Sequence, residues 1–198
     1  MKLLSYVSVL AIIIMCSFSM KQNTKKVKDY LSVPGPVSFD NSTYNLSWSS
    51  HPSADYYKQE YLRSNEKAET FTRMLMIEAL NTDMALKDVV KAKTDELQQR
   101  KGSDAVTNYQ VIENKGKGEY LLDFVISESA GNKMSVVEWN AYRYINLNAE
   151  GKGVLLFAYS RRAYGNNVST FLTSLKTERV KDVNYLAAYK IPGVKISE

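Results

Sequence analysis

Four segments with the two-residue alternation of β-strands follow one another between residues 107 and 162. They are Thr107 to Asn114, Glu119 to Ser127, Met134 to Leu147 and Val154 to Arg162. Only short turn-rich segments separate them, whereas a parallel crossover needs a dozen or more residues. This half of the chain is therefore predicted to form an antiparallel sheet, with a bulge or strong twist in the long third strand.

Three further strands are predicted upstream, near Tyr44 to Trp48, Tyr57 to Leu62 and Thr70 to Ala79. The first should end at His51 and Pro52, because proline cannot donate a hydrogen bond to the sheet. The third has apolar residues on both faces, which predicts a central position in the sheet.

Two segments have the period of a helix. Leu86, Val89, Val90 and Leu97 recur at helical spacing after Asn81 and Thr82, either of which could cap a helix ending near Lys101. A second helix is predicted from Asn166 to before Pro192, with a break near Val180. The predicted fold is α+β, a single domain over residues 36–198 with a twisted antiparallel sheet of about six to seven strands covered by two amphipathic helices.

The N-terminus resembles an export signal. An apolar run from Leu3 to Met15 follows Lys2 and is shorter than the roughly 20 residues that cross a membrane. Small residues allow cleavage after Ser19, which gives a signal sequence over residues 1–19. Cys16 resembles the lipid-modified cysteine of a bacterial lipoprotein, although Met15 stands where a small residue is usual. Ordinary cleavage, lipidation at Cys16 and an uncleaved anchor remain open alternatives.

Residues 20–35 are predicted to be a basic polar linker, because Lys21, Lys25, Lys26 and Lys28 lie among polar residues. The net charge of +5 is far below the clustered positive excess that is typical of a nucleic-acid-binding protein. The expected location is the periplasm of a bacterium, or its membrane if Cys16 is lipidated. Because Cys16 is the only cysteine, a chain cleaved after Ser19 would contain no disulfide and would depend on its core for stability.

Aromatic and basic residues alternate along the last two predicted strands. If these strands pair, such residues could bind sugars, peptides or flat ligands through aromatic faces and guanidinium groups. The alternative is that they pack beneath the helices. The candidate residues are Trp139, Tyr142, Arg143, Tyr144, Tyr159, Arg161, Arg162 and Tyr164.

The sequence predicts no catalytic, metal or cofactor site. His51 is the only histidine, which excludes a multi-histidine metal site. Lys115 to Gly118 is predicted to be a hairpin turn and not a phosphate loop, because a strand follows it. We therefore expect a non-enzymatic binding or accessory module whose partner is an envelope protein or a small ligand.

Two alternative functions remain. A carboxylate-based hydrolase could use acids among Asp55, Glu60, Glu66 and Glu69, although their spacing singles out no pair. The basic linker could instead bind anionic surfaces, with an affinity that falls as salt increases.

The segments YKQEYL (Tyr57 to Leu62) and ETFTRMLM (Glu69 to Met76), followed by a helix, an antiparallel meander and a final helix, resemble small secreted bacterial proteins of unknown function. The order of elements over residues 37–191 is also similar to the PsbP/Mog1-like α/β/α sandwich. The resemblance implies a compact binding or accessory domain without an inherited active site.

Overall fold

A computed structural model describes residues 27–131, 133–148 and 151–197. These residues form one antiparallel sheet of eight strands and two α-helices. The strands are β1 (Val37–Phe39), β2 (Ser42–Ser53), β3 (Tyr56–Leu62), β4 (Arg73–Leu80), β5 (Asn108–Asn114), β6 (Glu119–Ala130), β7 (Lys133–Asn146) and β8 (Val154–Tyr164). The helices are α1 (Leu86–Arg100) and α2 (Val168–Ala188), and a short 3₁₀ turn at Gly165–Asn167 precedes α2.

The strand order β1-β2-β3-β4-β8-β7-β6-β5 joins two four-stranded meanders through β4 and β8. Those two strands pair from Arg73 opposite Arg161 to Leu80 opposite Val154. The central position predicted for the strand that became β4 is therefore confirmed. The predicted count of six to seven strands is wrong, because the three-residue strand β1 is too short to show an alternating pattern.

The two helices cover opposite faces of the sheet. Leu175 and Leu186 of α2 pack in one core with Phe157 of β8. Val90 and Leu97 of α1 pack in another core with Leu156, the neighbour of Phe157. Neighbouring residues of a strand point to opposite faces, so each helix defines a face, called here the α1 face and the α2 face.

Some predicted boundaries move for identifiable reasons. Strand β2 continues through His51 and Pro52, because β1 pairs only with Ser42 to Tyr44 and the rest of β2 has a free edge. Helix α1 begins four residues after Thr82, whose hydroxyl instead accepts a hydrogen bond from the Met84 amide at 3.2 Å. Helix α2 has no break at Val180, which is 61% exposed and leaves the backbone hydrogen bonding intact.

The predicted bulge is confirmed and lies on β7. Val136 is paired with Glu128, and Met134 is paired with Ser129, the next residue of β6. The intervening Ser135 is therefore an extra residue in β7, and its hydroxyl donates to the Glu128 carbonyl at 3.1 Å. The bulge lies near the start of β7, where the extra residue bends the strand and increases its twist.

The folded domain begins before residue 36, where the sequence placed its start. Leu31 is fully buried, and its amide donates to the Gln59 side chain at 3.1 Å. Val33 is also buried, and its carbonyl accepts a hydrogen bond from Tyr61 at 2.7 Å. The last part of the predicted 20–35 linker therefore belongs to the core. The sequence did not predict this, because the lysines just before Leu31 and Val33 made the whole segment resemble a linker.

The predicted signal sequence over residues 1–19, including Cys16, lies outside the described residues. In the part of the chain that the structure does describe, neither helix combines the length and the apolar character needed to cross a membrane.

Candidate functional site

A groove crosses the α1 face between helix α1 and the β3–β4 loop. It consists of three adjoining cavities of about 450, 230 and 220 Å³. Lys58 and Tyr142 line both the first and the second, while Glu138 and Arg162 line both the second and the third. The groove follows β7 from Tyr144 to Val136, which is roughly 25 Å at about 3.3 Å per residue.

A carboxyl group and tyrosine hydroxyls meet at the first end of the groove. Glu78 of β4 lines this cavity with Tyr56, Tyr142 and Tyr144. Burial raises the pKa of the Glu78 carboxyl, and the nearby Lys58 opposes that shift. Burial also raises the pKa of the Tyr142 and Tyr144 hydroxyls, so both stay protonated at neutral pH and can donate hydrogen bonds.

Lys58 links the first end of the groove to its centre. Its ammonium lies 3.0 Å from a carboxylate oxygen of Glu60 and 3.7 Å from one of Glu78. Lys58 and Glu60 are two residues apart on β3, and Glu78 is opposite Lys58 on the paired strand β4. The side chains are between 17% and 26% exposed, so a ligand in the groove could reach them.

The second end of the groove is built around Arg162 of β8. Its guanidinium forms an ion pair with Glu138 of β7 and lies 4.1 Å from the centre of the Phe71 ring. Tyr164 donates a hydrogen bond to the Phe71 carbonyl at 3.0 Å. These contacts fix the end of the β3–β4 loop against β8.

A hydrogen-bond network holds the rest of that loop. Arg63 binds both carboxylate oxygens of Glu66, at 3.0 and 2.7 Å, and the Thr72 amide donates to the same group at 2.8 Å. Burial alone would raise the pKa of Glu66, but these hydrogen bonds together lower it to about 2. The loop is therefore closed by a carboxylate that is ionised at neutral pH.

The eight predicted surface residues divide between the two faces of the sheet. Those on the α1 face line the groove: Tyr142, Tyr144, Arg162 and Tyr164. The other four, Trp139, Arg143, Tyr159 and Arg161, lie beneath or beside α2. The expectation of one surface is therefore corrected, because consecutive residues of a strand point to opposite faces.

The four residues on the α2 face make structural contacts. Tyr159 is fully buried, and Trp139 is 1% exposed and donates to Asp123 at 3.0 Å. Arg161 pairs with Asp182 of α2 at 2.7 Å. The sequence left open that all eight residues pack beneath the helices. For these four residues, that alternative is the one observed.

The structure places the predicted acids in different parts of the domain. Glu60 and Glu69 line different cavities of the groove, while Glu66 is engaged in the loop network. Asp55 is exposed in the β2–β3 hairpin. His51 is exposed and stacks on Tyr57 with ring centres 4.1 Å apart.

Two other predicted features can be placed. Lys115 to Gly118 form the turn of the β5–β6 hairpin, as Asn114 pairs with Glu119. Among the described residues, no group of three or more His, Cys, Asp or Glu side chains could hold a metal ion.

Sequence reasoning missed Lys58, Glu78 and the β3–β4 loop as parts of the site. No local pattern shows that β4 pairs with β8, and that pairing brings Glu78 close to Tyr142 and Tyr144. The part of the groove that lies on β7 did have a sequence signal, because Glu138, Tyr142 and Tyr144 are an even number of residues apart and therefore point to the same face of the sheet. Dividing the candidate residues into odd and even positions separates the groove residues from those in the core.

Comparison with known proteins gives one match. No curated protein and no solved structure matches the chain. One family model matches residues 31–191, from the buried Leu31 to the segment that follows α2, and so includes both walls of the groove. The chain therefore belongs to this uncharacterised protein family.

Proposed function

We propose that the protein is an exported cell-envelope protein that binds an extended peptide segment in the groove of the α1 face, without a catalytic step of its own. The observation that carries the proposal is the continuity of the three cavities along β7. A groove of roughly 25 Å accommodates seven or eight extended residues at about 3.3 Å each.

The chemistry of the walls supports a peptide ligand. Half-buried aromatic rings at both ends offer surfaces for side chains, Tyr142 at one end and Tyr164 at the other. Paired charges of both signs lie between them, at Lys58 with Glu60 and at Arg162 with Glu138. Such pairs can exchange partners with the amide and charged groups of a peptide.

Selection from a combinatorial library of octapeptides with capped ends tests the proposal. The wild-type protein should enrich a set of related peptides, and calorimetry should show one site per chain. Lys58→Glu and Arg162→Gln should each weaken binding by at least about tenfold, because each removes one cationic contact and Lys58→Glu also adds a negative charge beside Glu60 and Glu78. Lys181→Glu, on the solvent side of α2, is the matched control and should bind normally. Enriched peptides that bind both groove variants with wild-type affinity would refute this site.

A carboxylate-based hydrolase is the second candidate. The observation that favours it is Glu78, a carboxyl with a raised pKa in a cavity with three tyrosines. Mass spectrometry of the selected peptides after prolonged incubation distinguishes the two functions. Intact peptides support the binding module, whereas cleavage that Glu78→Gln abolishes would support the hydrolase.

Export rests on the N-terminal sequence and has its own test. Expression of the full chain in a bacterium, followed by mass analysis of the N-terminus, should show either a chain that begins at Met20 or a lipidated chain that begins at Cys16. In the second case, Cys16→Ser should move the protein out of the membrane fraction. An unprocessed chain confined to the cytoplasm would refute export.

A further inference from the structure

A further cavity lies on the α2 face, away from the groove. It has a volume of about 680 Å³, within the range of about 300 to 1,000 Å³ typical of sites for small ligands. Helix α2 packs mainly on β7, and the cavity lies beside it against residues of β5 and β6. The apolar part of the wall consists of Val106, Val125, Trp139, Leu172 and Leu175.

The polar groups of the wall are fixed by one another. Asp123 accepts hydrogen bonds from the Trp139 indole at 3.0 Å and from Arg179 at 2.8 Å. Arg179 also donates to the Gln110 side chain at 2.7 Å. Because Asp123 is 4% exposed and already paired, its negative charge is balanced by Arg179.

One positive charge remains in excess at the rim. Lys176 lines the cavity and is exposed. Within the described residues, no carboxylate lies within ion-pairing distance of its ammonium group; the ion pairs near it join Arg179 to Asp123 and Arg161 to Glu178. The cavity therefore combines an apolar interior with a cationic rim.

We propose that this cavity binds a small amphipathic anion. An apolar ring or short chain would contact the half-buried Val125 and Leu172, close to the buried Trp139 ring, while a carboxylate or sulfonate group would face Lys176. This site is separate from the peptide groove, from which the sheet divides it, and the proposal does not depend on the function of the groove.

Fluorescence provides a direct test with the full domain. The chain has two tryptophans, so Trp48→Phe leaves Trp139 as the only reporter, and Trp48 is 45% exposed and outside the cavity. Titration of this variant with anilinonaphthalene sulfonate should quench Trp139 to saturation at one site per chain. Its uncharged analogue phenylnaphthylamine should bind about tenfold more weakly, because it lacks the anionic group.

Two further substitutions in the same background locate the probe. Val125→Phe fills the cavity and should reduce sulfonate binding by at least about tenfold. Lys176→Glu, on the exposed rim, should weaken the sulfonate by about tenfold and leave the uncharged analogue unchanged. Lys181→Glu makes the same charge change further along α2 and should have less than about a twofold effect. Near-ultraviolet circular dichroism confirms that each variant is folded.

Several results would overturn the proposal. They are the absence of saturable quenching, equal affinity for the charged and uncharged probes, and sulfonate binding that Lys176→Glu leaves intact. Because Lys176 is exposed and outside the core, its variant remains informative even if Val125→Phe does not fold.

Discussion

The guanidinium of Arg143 is enclosed by groups from two other parts of the chain. It forms paired hydrogen bonds with Glu119 of β6, at 3.1 and 3.0 Å. It also donates to the carbonyls of Leu186 and Tyr189 at the end of α2, at 3.1 and 2.7 Å. The side chain is 8% exposed, so solvent cannot replace these partners. The Leu186 carbonyl also accepts from the Tyr189 amide at 3.3 Å, so Arg143 adds a second donor there and connects the sheet to the end of α2.

Arg143→Ala should lower the free energy of unfolding by about 3 to 5 kcal/mol, because it removes the cation that pairs with Glu119 and the side-chain donor to the Tyr189 carbonyl. Arg143→Lys should cost less, since lysine keeps the charge but lacks the planar fork. Urea denaturation measures both changes. A loss below about 1 kcal/mol for Arg143→Ala would mean that water satisfies these groups.

Glu78 predicts a dependence of stability on pH. Burial raises its pKa in the folded protein above the ordinary value of 4.5, so the folded state holds this proton at pH values where the unfolded state has released it. The contribution of Glu78 to stability therefore falls as pH rises above about 4.5. Glu78→Gln removes this titration.

The difference in unfolding free energy between Glu78→Gln and the wild type should move in favour of the variant as pH rises above about 4.5, and it should level off once Glu78 ionises in the folded protein. Denaturation at several pH values provides the measurement. Glu113→Gln, on the exposed edge strand β5, makes the same chemical change outside the groove and serves as the control. A difference for Glu78→Gln that does not change with pH would contradict the shift.

At the scale of elements, the β7–β8 connection depends on one glycine. Gly153 has a φ of +69°, and a Cβ atom there would lie 3.0 Å from the Leu147 Cβ and 3.1 Å from the Leu80 carbonyl oxygen. Its amide donates to the Thr82 carbonyl at 3.1 Å. This turn thus packs against the segment that leads from β4 into α1.

Gly153→Ala should destabilise the domain more than Gly118→Ala, by about 1 to 3 kcal/mol. Both positions have a positive φ, but a Cβ at Gly118 would meet nothing within 4 Å. The difference between the two variants therefore isolates the steric clash from the cost of the backbone conformation, which both share. Thermal unfolding measures the loss of stability in each variant, and an equal loss in both would exclude the clash.

Local patterns determine most of the elements but not their pairing. Alternation identifies β4 as a strand with two apolar faces, and Leu75 and Met76 do pack in different cores. The same alternation could not show that β4 pairs with β8, because the two strands are about 80 residues apart and no local residue encodes their contact. The groove depends on that pairing, so its position could not be predicted, although the identity of Tyr142 and Arg162 as groove residues could.

For the whole molecule, the segment before β1 contributes to stability. Leu31→Ala should cost about 2 to 5 kcal/mol, because Leu31 is fully buried in the main core. Met84→Ala, at a residue that is 51% exposed, should cost less than about 0.5 kcal/mol. A chain that begins at residue 36 should be less stable than one that begins at residue 27. Equal stability of the two chains would place the boundary at residue 36.

The same segment meets the other end of the domain. The Lys195 amide donates to the Leu31 carbonyl at 3.0 Å, and the Ser197 amide donates to the Tyr30 carbonyl at 2.8 Å. A short linker could therefore join residue 197 to residue 28, and new termini could be opened at Gly116 in the exposed β5–β6 turn. Such a circular permutant would keep every strand pair of the sheet. It would also move the chain ends to the turn beside the edge strand β5, so a support fused to the new terminus would hold the groove in a different direction without altering a residue that lines it.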